Sequence, residues 1–193
     1  MKNYVIFGPP GAGKGTQSVL LAEKYNLRHI STGSMLREEI ARGSEIGKVA
    51  QSLINKGLFV SDEIVLDILK NEIIKSRDVS GFIFDGYPRN TKQAFELDQL
   101  LAENGNKVDA VISLEIDDDM IVQRIQHRAM IEDRKDDNDI AVIQQRIKTY
   151  HAQTEPLKEY YIKQGKYYKV NGASTIENNF RDICRLIDQL NNE

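Results

Sequence analysis

Cysteine occurs once, at Cys184, which excludes an internal disulfide and any zinc site built from several thiolates. No apolar run approaches the roughly 20 residues that span a bilayer, so a membrane role is not expected. Residues 1–7 carry only Tyr4, Val5, Ile6 and Phe7 as an apolar block, too little for a secretory leader; the mature protein is expected to begin at or near Met1. Charge of one sign is also missing. With 26 Lys and Arg against 29 Asp and Glu the net charge is -3, which offers no global field for nucleic acid. These shortages predict a cytoplasmic protein without membrane or nucleic-acid partners, in which anions are bound by local arrangement alone.

The chain has 193 residues, 40% hydrophobic and 28% charged, enough for one substantial core and therefore one domain over residues 1–193. Short apolar runs at Tyr4–Phe7, Arg28–Ile30, Gly81–Phe84, Ala110–Glu115 and Tyr167–Val170 alternate with helix-period segments. The helices are expected at Gln17–Tyr25, Ser34–Arg42, Ile46–Lys56, Asp62–Lys75, Thr91–Asn104, Asp119–His127, Ala141–Gln153 and Ile176–Leu190. Such alternation predicts an α/β fold with a five-stranded parallel sheet covered by helices. In the last helix Phe180, Ile183, Ile187 and Leu190 share the spacing of Cys184, which reads as a buried core thiol. Two stretches exceed simple alternation, one between Thr32 and Val60 and a polar, acidic one from Ala129 to Asp139. Long excursions from a compact core commonly carry binding and gating residues.

Directly after the first strand comes Gly8-Pro9-Pro10-Gly11-Ala12-Gly13-Lys14-Gly15-Thr16, then the apolar helical run Val19 to Ala22. Strand, glycine loop and helix are in the order a P-loop requires: backbone N–H groups turn inward on a polyphosphate, Lys14 adds a point charge and the helix start a positive dipole end. The lysine is followed by Gly15 before Thr16, a departure from the usual pattern. A GTPase is a poor fit, because Asn55-Lys56-Gly57-Leu58 lacks the guanine-reading aspartate and Asp85-Gly86-Tyr87-Pro88 lacks the glycine of the switch motif.

Gly8 to Gln17 match GxPGxGKGTQ throughout, and the chain thereby resembles the adenylate kinases and related nucleoside monophosphate kinases. The resemblance covers nearly the whole chain. It implies a P-loop kinase core with an NMP-binding insertion at residues 31–60 and a short lid at residues 125–137. It also implies Mg2+-dependent, reversible transfer between ATP and AMP to give ADP, by a monomer. ATP would be bound by Gly11, Ala12, Gly13, Lys14, Gly15, Thr16 and Arg124. Ile30-Ser31-Thr32-Gly33-Ser34-Met35-Leu36-Arg37 resembles ISTGDMLR, implying Thr32 and Gly33 beside the acceptor base and Arg37 on its phosphate. Ser34 stands where the family usually has aspartate.

Asp85-Gly86-Tyr87-Pro88-Arg89 is close to DGFPR. The carboxyl ends of parallel strands face the ligand crevice, so Asp85 is expected near the phosphates. No residue is expected to ligate Mg2+ directly; the ion would be held through water near Asp85 and Thr16. By resemblance Gly86 and Arg89 serve the acceptor, and Gln93 reads the adenine edge with an amide that both donates and accepts. Asn90 is shared with UMP/CMP kinases, whereas Thr32 and Gln93 are adenine-type. Arg124, Arg128, Arg134 and Arg146 would converge on the donor, although Arg134 to Arg146 is one residue longer than the RxDDNxETxxxR spacing, so Lys135 could take the part of Arg134.

Asp117, Asp118 and Asp119 read as dipole-stabilised acids at a helix start. His29, His127 and His151 lack metal-ligand spacing and read as structural or surface residues; the tyrosines from Tyr150 to Tyr168 read as core rings with wet hydroxyls. Besides adenylate kinase, a UMP/CMP kinase and a catalytically silent ATP-binding sensor fit these motifs.

Overall fold

A computed structural model describes residues 1–76, 78–132 and 137–192. The apolar runs form β1 (Lys2–Phe7), β2 (Leu27–Ser31), β3 (Gly81–Asp85), β4 (Ala110–Glu115) and β5 (Tyr167–Asn171). They make one parallel sheet in the order β2-β3-β1-β4-β5. The expected α/β class holds. β1 lies at the centre, its end paired with the ends of both neighbours: Ile6 stands opposite Asp85 and Phe7 opposite Ser113.

Side chains alternate across a strand, so a sheet covered on both faces needs apolar residues at successive positions. Val5, Phe7, Phe82, Phe84 and Val111 enter one core layer with Leu97, Leu101, Tyr87, Leu157 and Tyr161. Tyr4, Ile6, Ile83, Ile112 and Leu114 enter the other with Leu21, Ile183 and Ile187. Each fully buried aliphatic side chain of this kind stabilises the fold by about 1.5–3 kcal/mol in transfer terms. Cys184 is buried in the second layer, as its helical spacing predicts.

The helices are α1 (Lys14–Tyr25), α2 (Thr32–Arg42), α3 (Glu45–Ile54), α4 (Asp62–Lys75), α5 (Thr91–Glu103), α6 (Asp118–Glu132), α7 (Ile140–Thr149), α8 (Leu157–Ile162) and α9 (Ile176–Asn191). Side-chain caps start several of them. Ser44 accepts from the Gly47 N–H at 3.0 Å, Asn90 from Gln93 at 2.8 Å and Asp139 from Ala141 at 2.8 Å. Between β2 and β3 a single covering helix would suffice for a parallel crossover, and α4 supplies it; α2 and α3 are additional.

Five expectations change. α1 begins at Lys14, three residues before its amphipathic pattern becomes visible, because the glycine loop runs straight into the first turn. α6 continues beyond His127 to Glu132. The segment read as one helix to Gln153 instead ends at Thr149 and passes into a π-helical turn, Tyr150–Thr154, closed by the Glu155 N–H on the Tyr150 carbonyl at 2.9 Å. Pro156, which has no N–H to continue the ladder, then precedes α8, a helix the periodicity did not announce. Nor are all the tyrosine hydroxyls wet: that of Tyr161 is buried without a partner among the described residues, and burial pushes its pKa well up. No helix among the described residues is long and apolar enough to cross a membrane.

Candidate active site

The glycine loop leaves β1 at Gly8. Its φ is +140°, and a Cβ there would fall 2.6 Å from the Leu114 carbonyl oxygen, so only glycine fits. At the start of α1 no side chain caps the N-terminus. Its first N–H groups and the positive end of its dipole are therefore available to an anion. Lys14 curls back over the loop, its Nζ donating to the Gly8 and Pro9 carbonyls at 2.9 and 2.8 Å. Burial pushes the Lys14 pKa down to about 8; Asp85 opposes that shift, while Arg89, Arg128 and Arg146 reinforce it by repulsion.

Asp85 ends β3 and is 9% exposed. Its Oδ2 lies 3.6 Å from His29 Nε2 and 3.5 Å from where a Cβ on Gly15 would sit. Burial alone would favour the neutral acid, but His29, Lys14 and Arg89 outweigh it and hold the carboxyl below its ordinary range. An ionised oxygen donor at the foot of a phosphate loop suits a hard divalent cation that keeps its water, and Thr16 lines the same cavity. The residues present thus fit Mg2+.

Beyond the loop the Gly86 carbonyl accepts from Thr32 Oγ1 at 2.8 Å and from Arg89 Nε at 2.7 Å. The Arg89 guanidinium lies 4.7 Å from the centroid of the Phe59 ring, a cation–π contact. Burial, reinforced by Arg146 and Arg37 and opposed by Asp85, pushes its pKa down to about 10. Gln93 is fixed at both ends of its amide: Oε1 accepts the Arg89 N–H at 2.7 Å and Nε2 donates to Asp62 Oδ1 at 2.7 Å. Arg37 turns over Gly33 and donates to Ser34 Oγ at 3.2 Å.

On the opposite wall Arg124 donates to the Gly172 carbonyl at 2.8 Å. Arg128 meets Asp137 through two bonds, at 2.7 and 3.0 Å, and Arg146 meets the same carboxylate at 2.5 Å. Asp137 is fully buried. Arg134 and Lys135 lie outside the described residues.

The glycine loop, the Thr32–Arg89 wall and the arginine wall enclose a cavity of about 880 Å³, within the range of small-molecule sites. Every described residue named above as a candidate for ATP, AMP or catalysis lines it. Several residues at or behind this cavity were not assigned to the site from sequence, His29 and His127 among them, which read there as structural or surface residues. His29 and His127 both reach the cavity, and His29 beside Asp85 is more than a surface residue. Phe59 and Asp62 support Arg89 and Gln93, and Asp137 ties two arginines; the doubled acid Asp136-Asp137 behind Arg134 was the available signal for the last.

A family model described as adenylate kinase matches residues 6–166, most of the chain. The chain belongs to the adenylate kinase family. It is 44% identical over 190 residues to adenylate kinases from Bacteroides fragilis and Bacteroides thetaiotaomicron, covering 98% of this chain and all of each relative. The adenylate kinase of Flavobacterium psychrophilum is 42% identical over the same span. The family consists of nucleoside monophosphate kinases, which are phosphotransferases. As an adenylate kinase homologue over nearly its full length, the chain favours neither the UMP/CMP kinase nor the silent-sensor alternative.

Proposed function

We propose that this cavity carries out reversible phosphoryl transfer between ATP and AMP, giving two ADP, with the triphosphate over Gly8–Thr16 and the acceptor between Arg37, Arg89 and Gln93. The observation that carries this reading is the gathering of Lys14, Arg89, Arg128 and Arg146 on one cavity, with the three arginines each within electrostatic reach of Lys14. Like charges held together repel; a polyanion between them turns that repulsion into attraction.

The acceptor needs no protein base. The second ionisation of a phosphate monoester lies near pH 6, so at neutral pH its oxygen is already a nucleophile. That oxygen forms a bond to the γ-phosphorus as the bond to the β–γ bridging oxygen breaks, and no proton has to move. Lys14, Arg128 and Arg146 stabilise the charge spread over the transferred group, while Arg89 and Arg37 hold the attacking phosphate in line. The Gln93 amide, oriented by Asp62 and the Arg89 N–H, reads the acceptor adenine; Arg124 lies against the donor adenine, and Arg134 or Lys135 joins the lid. Mg2+ bound with the nucleotide would neutralise phosphate charge, and Asp85 and Thr16 would hold it through water.

Segments 31–60 and 125–137 close over the two substrates as NMP-binding and lid elements, excluding the water that would otherwise hydrolyse ATP. The substrates are ATP, AMP and ADP, used by a cytoplasmic monomer. The decisive assay measures ADP formed from ATP with AMP, CMP or UMP as acceptor, in the parent and in Lys14→Met. AMP should be strongly preferred, and the substitution should cost about 10²–10³-fold or more in rate with the fold intact. Nucleotide binding without ADP formation would overturn the proposal.

A further inference from the structure

The segment 31–60, proposed to close over the acceptor, touches α7, the helix that carries Arg146, at a buried point. After α3 the chain turns at Gly57, φ +69°, whose N–H bonds the Ile54 carbonyl at 2.9 Å. A Cβ on Gly57 would lie 3.0 Å from the Val142 carbonyl oxygen and 3.2 Å and 3.1 Å from the backbone nitrogen and Cγ of Arg146. Two of these three atoms are main chain of α7, which cannot swing aside as a side-chain tip can. From α7 the buried Thr149 hydroxyl donates to the Gly57 carbonyl at 3.2 Å, sharing its hydrogen with the Gln145 carbonyl at 2.8 Å. The second bond is the ordinary back-bond of a helical threonine. The first joins residues 92 positions apart.

Two residues beyond Gly57 stands Phe59, the ring under Arg89. Residues 57–59 therefore carry the Arg89 guanidinium on one side and bear on the root of Arg146 on the other. We propose that the Gly57–Thr149 contact is a positioning device: it seats α7 at Arg146 against the acceptor segment and so sets the spacing of Arg146 and Arg89 for the transfer step. A displacement of about 1 Å in a group that stabilises the transition state can cost on the order of 10²-fold in rate, so a small contact in this place has leverage. The inference rests on the role proposed above for Arg146.

The test uses Thr149→Val, Thr149→Ser, Gly57→Ala and Arg146→Lys, each assayed for ADP formation across AMP concentrations at saturating ATP, with thermal unfolding in parallel. Thr149→Val should lower kcat by about tenfold and change the KM for AMP by less than about twofold, as expected for an interaction realised in the transition state. Thr149→Ser, which keeps the hydroxyl, should stay within about twofold of the parent. Gly57→Ala should repeat the kcat loss. In the Arg146→Lys background Thr149→Val should remove little more, because the two act through one group. A Thr149→Val enzyme with normal kcat, a rise confined to the KM for AMP, or losses that multiply with Arg146→Lys would each overturn the device. A fall in unfolding temperature alone, with kcat intact, would overturn it too. If Arg146→Lys itself keeps the parent rate, the role of Arg146 falls first; if only Thr149→Val is silent, that role stands and the positioning device falls.

Discussion

The Asp137 carboxylate holds Arg128 through both oxygens, at 2.7 and 3.0 Å, and takes Arg146 on one of them. Two arginines from two helices, α6 and α7, thus share one buried counter-charge, and neither helix can shift without moving the other's guanidinium. Replacing Asp137 by alanine removes the counter-charge that the two arginines share. Because both arginine side chains remain about a quarter exposed, at 25% and 21%, the loss should fall below that of a fully buried pair, at about 2 kcal/mol. Urea unfolding of Asp137→Ala measures it. kcat should fall with it by roughly tenfold or more, since the arginines lose their pre-set geometry.

Lys14 presents a second, independent measurement. With a pKa near 8 it is about half protonated at pH 8, and phosphate oxygens favour its charged form. Nucleotide binding at pH 8 should therefore take up about half a proton, falling towards zero at pH 6.5 where the lysine is already charged. Calorimetric titration of ADP in buffers of different ionisation enthalpy reads this directly. Lys14→Met should abolish the uptake; an unchanged uptake would place the titrating group elsewhere.

Gln93 is braced by Asp62 and the Arg89 N–H, so its amide reaches the cavity in one orientation. Gln93→Leu should raise the KM for AMP by about tenfold, the worth of a buried hydrogen bond, while altering turnover with CMP and UMP much less. Equal losses with all three acceptors would argue that the residue holds the loop and does not read the base.

His151, in the π-helical turn, approaches Glu155 at 2.8 Å through Nδ1 and Asp118 at 3.0 Å through Nε2. Only the imidazolium donates from both nitrogens. The bond to Glu155 raises its pKa most, burial opposes the rise and Asp118 adds to it. A raised folded pKa means that protonation favours the fold. The contribution is complete below about pH 6.5 and is lost as pH climbs through the higher folded value. The partner Glu155, depressed by Lys158 and by His151, loses its own share only in acid. The gap in Tm between the parent and His151→Gln should be widest at or below about pH 6.5 and shrink as pH rises through the raised folded pKa. A gap independent of pH would assign His151 to packing alone.

Much of this was legible from residues in order. Tyr4–Phe7 followed by the glycine loop and Lys14 specifies strand, turn and helix without help from any distant part of the chain, and Gly81–Phe84 ending on Asp85 is the same kind of signal. What stayed hidden depends on pairs far apart in sequence. Phe59 matters because Arg89, 30 positions on, lies over its ring, and His29 because β2 and β3 pair in parallel and bring it to Asp85. The π-helical turn and α8 were missed for a different reason. Apolar spacing continues across Tyr150 with nothing to mark the extra residue, and six residues are too few to establish a period.

The pairing of Ile6 with Asp85 has a practical corollary. Neighbouring strands of a parallel ladder are separated by about 4.8 Å, a spacing fixed by main-chain hydrogen bonds and indifferent to side-chain identity. The offset between the phosphate loop leaving β1 and the carboxylate closing β3 is therefore a property of the backbone. A chimera that exchanged α2 and α3 with those of a relative would keep its host's spacing between Gly8 and Asp85.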